Sequence, residues 1–425
     1  MIRAALGLLL MFTTTIALAE DFPKFEDLPS IKELPDPLKM RDGTAVKTAD
    51  DWFNQRRPEL QGLIEHYMYG VAPAAPKNLQ AKVVRTDSKA LGGKATLEEI
   101  TLTFGPEQRG RINLLLIRPN QAKGKAPLFV GLNFAGNHSV LPDPKIALPT
   151  AWIRGTPDNQ AADADRGKET DVWCAEQLID RGYALATAYY GDIDPDQDKD
   201  HQDWSDGVHA LYYKAGQTQP APHEWGSIAA WAWGLSRMID HLAARNELDA
   251  QRIAVIGHSR LGKTALLAGA MDERIAIVCP HQSGTGGCAL SRDNDQETVK
   301  RINMNFPHWF NDNFTQFNDH EDKLPFDQHC LMALCAPRQI FDTEGLKDKW
   351  ANYDAGLRSL QGADSVYKLL GQPGFKAGKP IGQDEKITAA NLGNLNQYRR
   401  DETHVLNRGY WEQILNFADQ WYARK

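Results

Sequence analysis

Cysteine is scarce. Five occur among 425 residues (Cys174, Cys279, Cys288, Cys330 and Cys335), and no two form a Cys-x-x-Cys pair. A zinc or thioredoxin-like site therefore lacks support. An odd count leaves at least one thiol unpaired. Buried, small apolar roles are expected, with one or two bridges left open. Metal-binding patterns are equally thin. No His-Glu-x-x-His occurs, and Asp327-x-His329 and His320-Glu321-Asp322 stand alone rather than in a run of ligands at matched spacing. No metal and no cofactor are expected. Basic blocks are missing too. Lys+Arg total 48 against 55 Asp+Glu, a net charge of −7, which argues against nucleic acid or an anionic membrane as partner. There is no internal repeat and no low-complexity tract. With 42% hydrophobic and 24% charged residues the composition is that of an ordinary globular protein.

One apolar run stands apart, at the start. Arg3 is a short basic segment, Ala4 to Ile16 is apolar, and Ala17-Leu18-Ala19 is a small-residue cleavage site. Residues 1–19 read as a secretory signal peptide cut before Glu20, since the run is shorter than the roughly 20 residues a membrane span needs. No later stretch is apolar and long enough to span. A soluble, exported (secreted or periplasmic) monomer is expected.

Residues 20–50, rich in Pro, Asp and Glu, read as an extended arm. Residues 51–425 read as one catalytic domain with insertions. Asp51 to Tyr69 has helical spacing at Trp52, Leu60, Ile64 and Met68. Alternation in AKVVRTDS, ATLEEITLTF and RINLLLIRP then predicts strands and an antiparallel opening to a sheet. The apolar runs APLFVGLNF, YALATAYYG, RIAVIGHS, IAIVCPHQS, RQIFDTE and SVYKLLGQ are mostly continuous, as strands buried on both faces are. Helical segments at Thr170–Arg181 and Gly226–Arg245 lie between some of them. This strand–helix alternation predicts an α/β fold with a mainly parallel sheet covered by helices. Polar stretches at Asp158–Glu169 and Asp192–Glu224, and an aromatic one at Asn303–Leu324, are read as insertions that build a binding site at strand ends.

The sharpest chemical signal is RIAVIGHSRLGKTALLAGA, Arg252 to Ala270. A buried strand leads through Gly257-His258-Ser259-Arg260-Leu261-Gly262 into an Ala/Leu-rich helix, the setting of a nucleophile elbow. The usual pattern is G-x-S-x-G; here the second glycine falls one place late and Leu261 takes its position. A plain helix cap at Ser259 is the bland alternative. The amide of Arg260, at the helix start, is suited to donate to an oxyanion.

A serine needs a base, and the base an orienting acid, in the chain order Ser, acid, His. His404, beyond the last strand-like run, suits the base. His258 abuts the serine and is expected to point away from it, while His281, His308, His320 and His329 fit the order poorly. For the acid, Asp348 is preferred and Glu344 is second; Asp342 is expected to stay within the strand.

Together these residues resemble the glucuronoyl esterases, carbohydrate esterase family 15, especially their bacterial branch. The family's (C/H)-S-R-x-G-K motif corresponds to His258-Ser259-Arg260-Leu261-Gly262-Lys263, late glycine included. YYGDIDPD, EWGSIAAWAWGLSR, SGTGG, NFPHWF, LPFDQH, APR, DKW and THVL also fit, and the likeness runs from about Val130 to the C-terminus. It implies an α/β-hydrolase fold, a three-layer αβα sandwich. It implies cleavage of esters linking glucuronic or 4-O-methylglucuronic acid of xylan to lignin alcohols. By the same resemblance Ser259 is the nucleophile, His404 the base and Arg260 an oxyanion holder through amide and guanidinium. Lys263 would bond sugar hydroxyls, Trp350 would line the sugar site, and Gln282 and Trp309 count among the substrate-binding residues. There is one departure: where many members, notably fungal ones, carry a catalytic glutamate, this chain has the uncharged Gln282, which leaves Asp348 as the matching acid. An acetylxylan or feruloyl-type esterase, or a catalytically silent carbohydrate-binding protein, are the alternatives.

Overall fold

The structure, a computed structural model, describes residues 22–197 and 202–423. Residues 1–19, read above as a signal peptide, lie outside the described residues. Ten strands form one sheet in the order β1-β2-β3-β5-β4-β6-β7-β8-β10-β9. β1 (Gln80–Ala90), β2 (Ala95–Phe104) and β3 (Gly110–Pro119) form the expected antiparallel edge. β3 also pairs antiparallel with β5 (Ala184–Tyr189). From there every pairing is parallel, through β4 (Ala126–Asn133), β6 (Leu248–His258), β7 (Ile275–His281), β8 (Gln339–Gly345), β10 (Leu395–Arg400) and β9 (Ile381–Gly382). With helices on both faces this is the three-layer α/β-hydrolase architecture.

The continuous apolar runs are explained by burial on both faces. Leu128 and Val130 of β4 and Ile253 and Val255 of β6 pack into one core, with the helices Ser227–Leu242, Arg260–Met271 and Tyr353–Leu369. Their strand neighbours Phe129, Ala254 and Ile256 pack into a second core, against Leu178 and Ile179 of helix Ala175–Asp180 and Trp411, Ile414 and Leu415 of helix Arg408–Tyr422. The helical stretch expected at Thr170–Arg181 is broken in two at Cys174, which takes φ 46°. All five cysteines are buried and free.

Two elements differ from the sequence reading. SVYKLLGQ is not a strand: it ends the helix Tyr353–Leu369. Leu360, Ala363, Val366 and Tyr367 recur at helical spacing and are all buried; a short apolar run does not by itself separate the two structures. The true late strand is β10, Leu395–Arg400, whose polar sequence LNQYRR hides it. Leu395 and Tyr398 join the cores, while the polar side chains between them are satisfied by hydrogen bonds, with Gln397 Nε2 donating to Asp342 Oδ2 at 2.8 Å.

The parallel register aligns the strand ends. His258 of β6 pairs with His281 of β7, His281 with Thr343 of β8, and Gly345 of β8 with Arg400 of β10. Chain leaving these four carboxyl ends therefore emerges side by side, where open α/β sheets place their ligands.

Candidate active site

Ser259 occupies the sharp turn between β6 and the helix Arg260–Met271, at φ 58° and ψ −127°. A non-glycine residue there carries strain of about 1–3 kcal/mol. Its side chain makes no capping bond to the helix, so the cap reading fails. Its amide instead donates to His281 O at 2.9 Å, locking the turn to the end of β7. The displaced glycine now has a reason. A Cβ on Gly257 would lie 1.9 Å from Leu261 O, and one on Gly262 would lie 2.9 Å from Gly257 O and 3.0 Å from His281 O. Backbone crosses backbone at positions 257 and 262, whereas the Leu261 side chain is buried in the core. The first helix turn, starting at Arg260, is where backbone N–H groups lack helical acceptors.

The loops after β8 and β10 are zipped together, Leu346 N to Arg400 O at 2.8 Å and Lys347 N to Glu402 O at 2.9 Å. This brings Asp348 under His404, whose Nδ1 donates to Asp348 Oδ2 at 2.5 Å. The other carboxylate oxygen accepts from Ala351 N at 3.3 Å. Asp348 is buried, and His404 is 41% exposed. On both sides of His404 the loop carbonyls are clamped: Gln282 Nε2 donates to Thr403 O at 2.7 Å and His281 Nε2 donates to Val405 O at 2.8 Å. His281 Nδ1 must then accept, from Thr343 Oγ1 at 2.8 Å. Burial lowers His281 to about 4, so it stays neutral at ordinary pH.

The ring of His258 lies against His404, centroids 4.4 Å apart, and against His281 at 4.9 Å. Burial, then the neighbouring His281 and His404, hold His258 well below the ordinary imidazole range. A neutral ring thus supports one side of the exposed His404. The arrangement also sets His404 beside the residue that precedes Ser259.

Glu344, the second choice of acid, is not against His404. It lies on β8 one residue beyond Thr343 and so points to the opposite sheet face, where Asp342 is also buried. Burial and the adjacent Asp342 push Glu344 well above the usual carboxyl range, and burial lifts Asp342 to about 6.

The Arg260 side chain is held along one edge and one face, with 19% of its surface open. Its Nη1 donates to the buried Asp196, and its guanidinium carbon lies 4.7 Å from the Trp309 ring centroid and 5.4 Å from that of Phe306. Its Nε is buried without a partner.

Three expected substrate contacts are corrected. Lys263 is buried, and Nζ donates to Ser283 O at 2.6 Å, Thr285 O at 2.7 Å and Glu297 Oε2 at 2.9 Å. All three ammonium hydrogens are engaged within the protein, so none is free for a sugar hydroxyl. Trp309 is 2% exposed and donates from Nε1 to Asp196 Oδ1 at 2.8 Å; it is packing beneath Arg260, not a sugar platform. Gln282 is buried and spends its amide on the His404 loop. Trp350 does open to solvent, at 44%, though its indole N–H is held by Glu297 Oε1 at 3.1 Å.

Asp196, Glu297 and the imidazoles of His258 and His281 went unassigned from sequence. Asp196 lies in YYGDIDPD, but nothing in its spacing shows that it meets Arg260; Glu297, the link between Lys263 and Trp350, carries no local signal. Among the described residues no group of three or more His, Cys, Asp or Glu is arranged to hold a metal ion, and no helix is long and apolar enough to cross a membrane.

A family model for fungal glucuronyl esterases matches residues 177–371. The chain is 43% identical over 395 residues to carbohydrate esterase MZ0003 from an unknown prokaryotic organism, covering 91% of this chain and 89% of that one. The chain belongs to carbohydrate esterase family 15. As a family-15 protein it is a carboxylic ester hydrolase. A promiscuous family-15 esterase from a marine bacterial metagenome superposes with a TM-score of 0.82 at 41% identity, over 93% of this chain and 98% of that one. The glucuronoyl esterase of Solibacter usitatus does so at 0.83 and 36%, over 93% and 99%. A 4-O-methyl-glucuronoyl methylesterase of the fungus Phanerochaete chrysosporium is 29% identical over 367 residues, which is 84% of this chain and 65% of the fungal one.

Proposed function

We propose that this family-15 enzyme hydrolyses esters of glucuronic or 4-O-methylglucuronic acid in glucuronoxylan and releases lignin-type alcohols. Ser259 is the nucleophile, His404 the base and Asp348 the acid that orients it. The observation that carries the reading is the 2.5 Å Asp348–His404 hydrogen bond, held at the strand ends beside the strained Ser259 turn. Asp348 fixes the His404 tautomer that leaves Nε2 free to accept a proton. His404 takes the Ser259 proton as Oγ attacks the carboxyl carbon. The Arg260 amide and guanidinium face the developing oxyanion. The alcohol departs with the proton from His404, and water repeats the sequence on the glucuronoyl-enzyme. The exposed face of Trp350 suits a pyranose ring. The chain acts as a monomer without a cofactor and is exported by residues 1–19.

Hydrolysis of benzyl glucuronate by the chain starting at Glu20, beside 4-nitrophenyl acetate and acetylated xylan, tests this. Uronate cleavage that disappears in Ser259→Ala is the expected result; acetyl release without uronate cleavage overturns the substrate. Trp350→Ala is expected to raise KM for the uronate ester about tenfold, a loss of about 1.4 kcal/mol, with kcat nearly unchanged. A second reading is favoured by the relative described as promiscuous: the same triad turns over acetyl or feruloyl esters as well.

A further inference from the structure

Asp196 has no exposure, and a carboxylate removed from water persists only with donors around it. It has four, from three separate parts of the chain. Oδ2 accepts Arg260 Nη1 and, at 3.1 Å, the Tyr190 hydroxyl. Oδ1 accepts His308 Nε2 and Trp309 Nε1, both at 2.8 Å. With about four acceptor positions on a carboxylate, all are filled and the group cannot turn without breaking a bond. Although burial works against its charge, Arg260 and His308 hold its pKa well below the usual range.

The consequence falls on Arg260. One edge of the guanidinium is tied to Asp196, and its plane is packed against Trp309, which itself stacks on Phe306 at 3.8 Å with 4° between the rings. The rest of the side chain keeps 19% of its surface open, in the residue that directly follows Ser259. A guanidinium held on one edge and open on another can take a partner that arrives later. A tetrahedral oxyanion on the Ser259 adduct supplies one, and a donor fixed beforehand needs no reorganisation when that charge forms.

We propose that Asp196 is a positioning residue that aims Arg260 at the oxyanion, with His308, Trp309 and Tyr190 holding Asp196 in turn. The proposal rests on the esterase reading above, but it concerns the oxyanion common to all esters and not the identity of the acid. Asp196 touches no substrate; it acts through Arg260.

The test is a double-mutant cycle on whichever ester the enzyme cleaves best. Arg260→Ala lowers kcat by about 10²–10³, the usual cost of one oxyanion donor. Asp196→Asn keeps the shape, removes the charge, and lowers kcat to a similar extent with KM within about threefold. The double variant is no slower than Arg260→Ala alone, because both changes remove one unit. A soluble Asp196→Asn enzyme with near-wild-type kcat overturns the proposal, as do losses that multiply in the double variant. If Asp196→Asn fails to fold, guanidinium rescue decides. Added guanidinium restores Arg260→Ala turnover at least tenfold when Asp196 is present to hold it; no rescue overturns the assignment. Ser259→Ala keeps the two readings separate. If that variant retains activity, the triad reading fails; if it is inactive while the cycle shows no coupling, only the Asp196 assignment fails.

Discussion

At the scale of single residues, two carboxyl groups close together in sequence have opposite environments. Asp348 is placed to serve a base: one oxygen accepts from His404, the other from a backbone amide. Asp348→Asn leaves the shape but favours the wrong tautomer of His404, and a drop in kcat of about 10³–10⁴ is expected from steady-state kinetics. Glu344 lies on the far face of β8, where burial and Asp342 push its carboxyl well above the usual range. Glu344→Gln should therefore leave kcat within about threefold. Its effect appears in stability. A carboxyl whose folded pKa is raised binds its proton more tightly when folded. Its contribution is full below the unfolded value of about 4.3 and is lost as pH rises through the raised value. The wild type is thus penalised at alkaline pH and the glutamine variant is not. Thermal unfolding is expected to show Tm higher in Glu344→Gln by about 2 °C or more at pH 9, with no difference at pH 4. An unchanged pH dependence would remove Glu344 as the titrating group. The Asp348 position was legible by order along the chain. The fate of Lys263 was not, because its acceptors come from the loop after β7 and from Glu297, 34 residues away.

At the scale of elements, the elbow depends on contacts between backbones. Gly257→Ala would drive a Cβ into Leu261 O, and overpacking of this kind costs about 3 kcal/mol or more where neither partner can move. Expression with a much lower Tm, or no soluble protein, is expected, whereas Leu261→Met should be mild. A Gly257→Ala enzyme with normal Tm would show that the turn has room. The strand–turn–serine–helix pattern was readable from sequence because buried runs and small turn residues are local signals. The late glycine was explained only by the crossing of the helix start over the ends of β6 and β7. β10 was missed for a related reason: its Asn396, Gln397 and Arg399 side chains bond partners 44 to 56 positions away, so hydropathy gives little mark of it.

At the scale of the whole molecule, the stretch 22–48 lies along the domain. Phe25 meets Phe317 edge-on at 5.4 Å, Ile31 N donates to Asp322 O at 2.8 Å, and His329 Nε2 donates to Pro35 O at 2.7 Å. Leu28 and Val46 are buried, at roughly 1.5–3 kcal/mol each. A chain beginning at Thr48 is expected to lose at least about 3 kcal/mol in denaturant unfolding while keeping measurable turnover; equal stability would show the arm to be dispensable. The sequence by itself determined the parallel sheet, its antiparallel edge, the nucleophile turn and the Ser–acid–His order. Each of these is written in local periodicity, turn chemistry or position along the chain. Only the tertiary structure decided that Lys263 and Trp309 are consumed inside the protein and that Asp196 holds Arg260. Those facts depend on which side chains of distant segments come within about 3 Å of each other, and strand register, not sequence spacing, sets that.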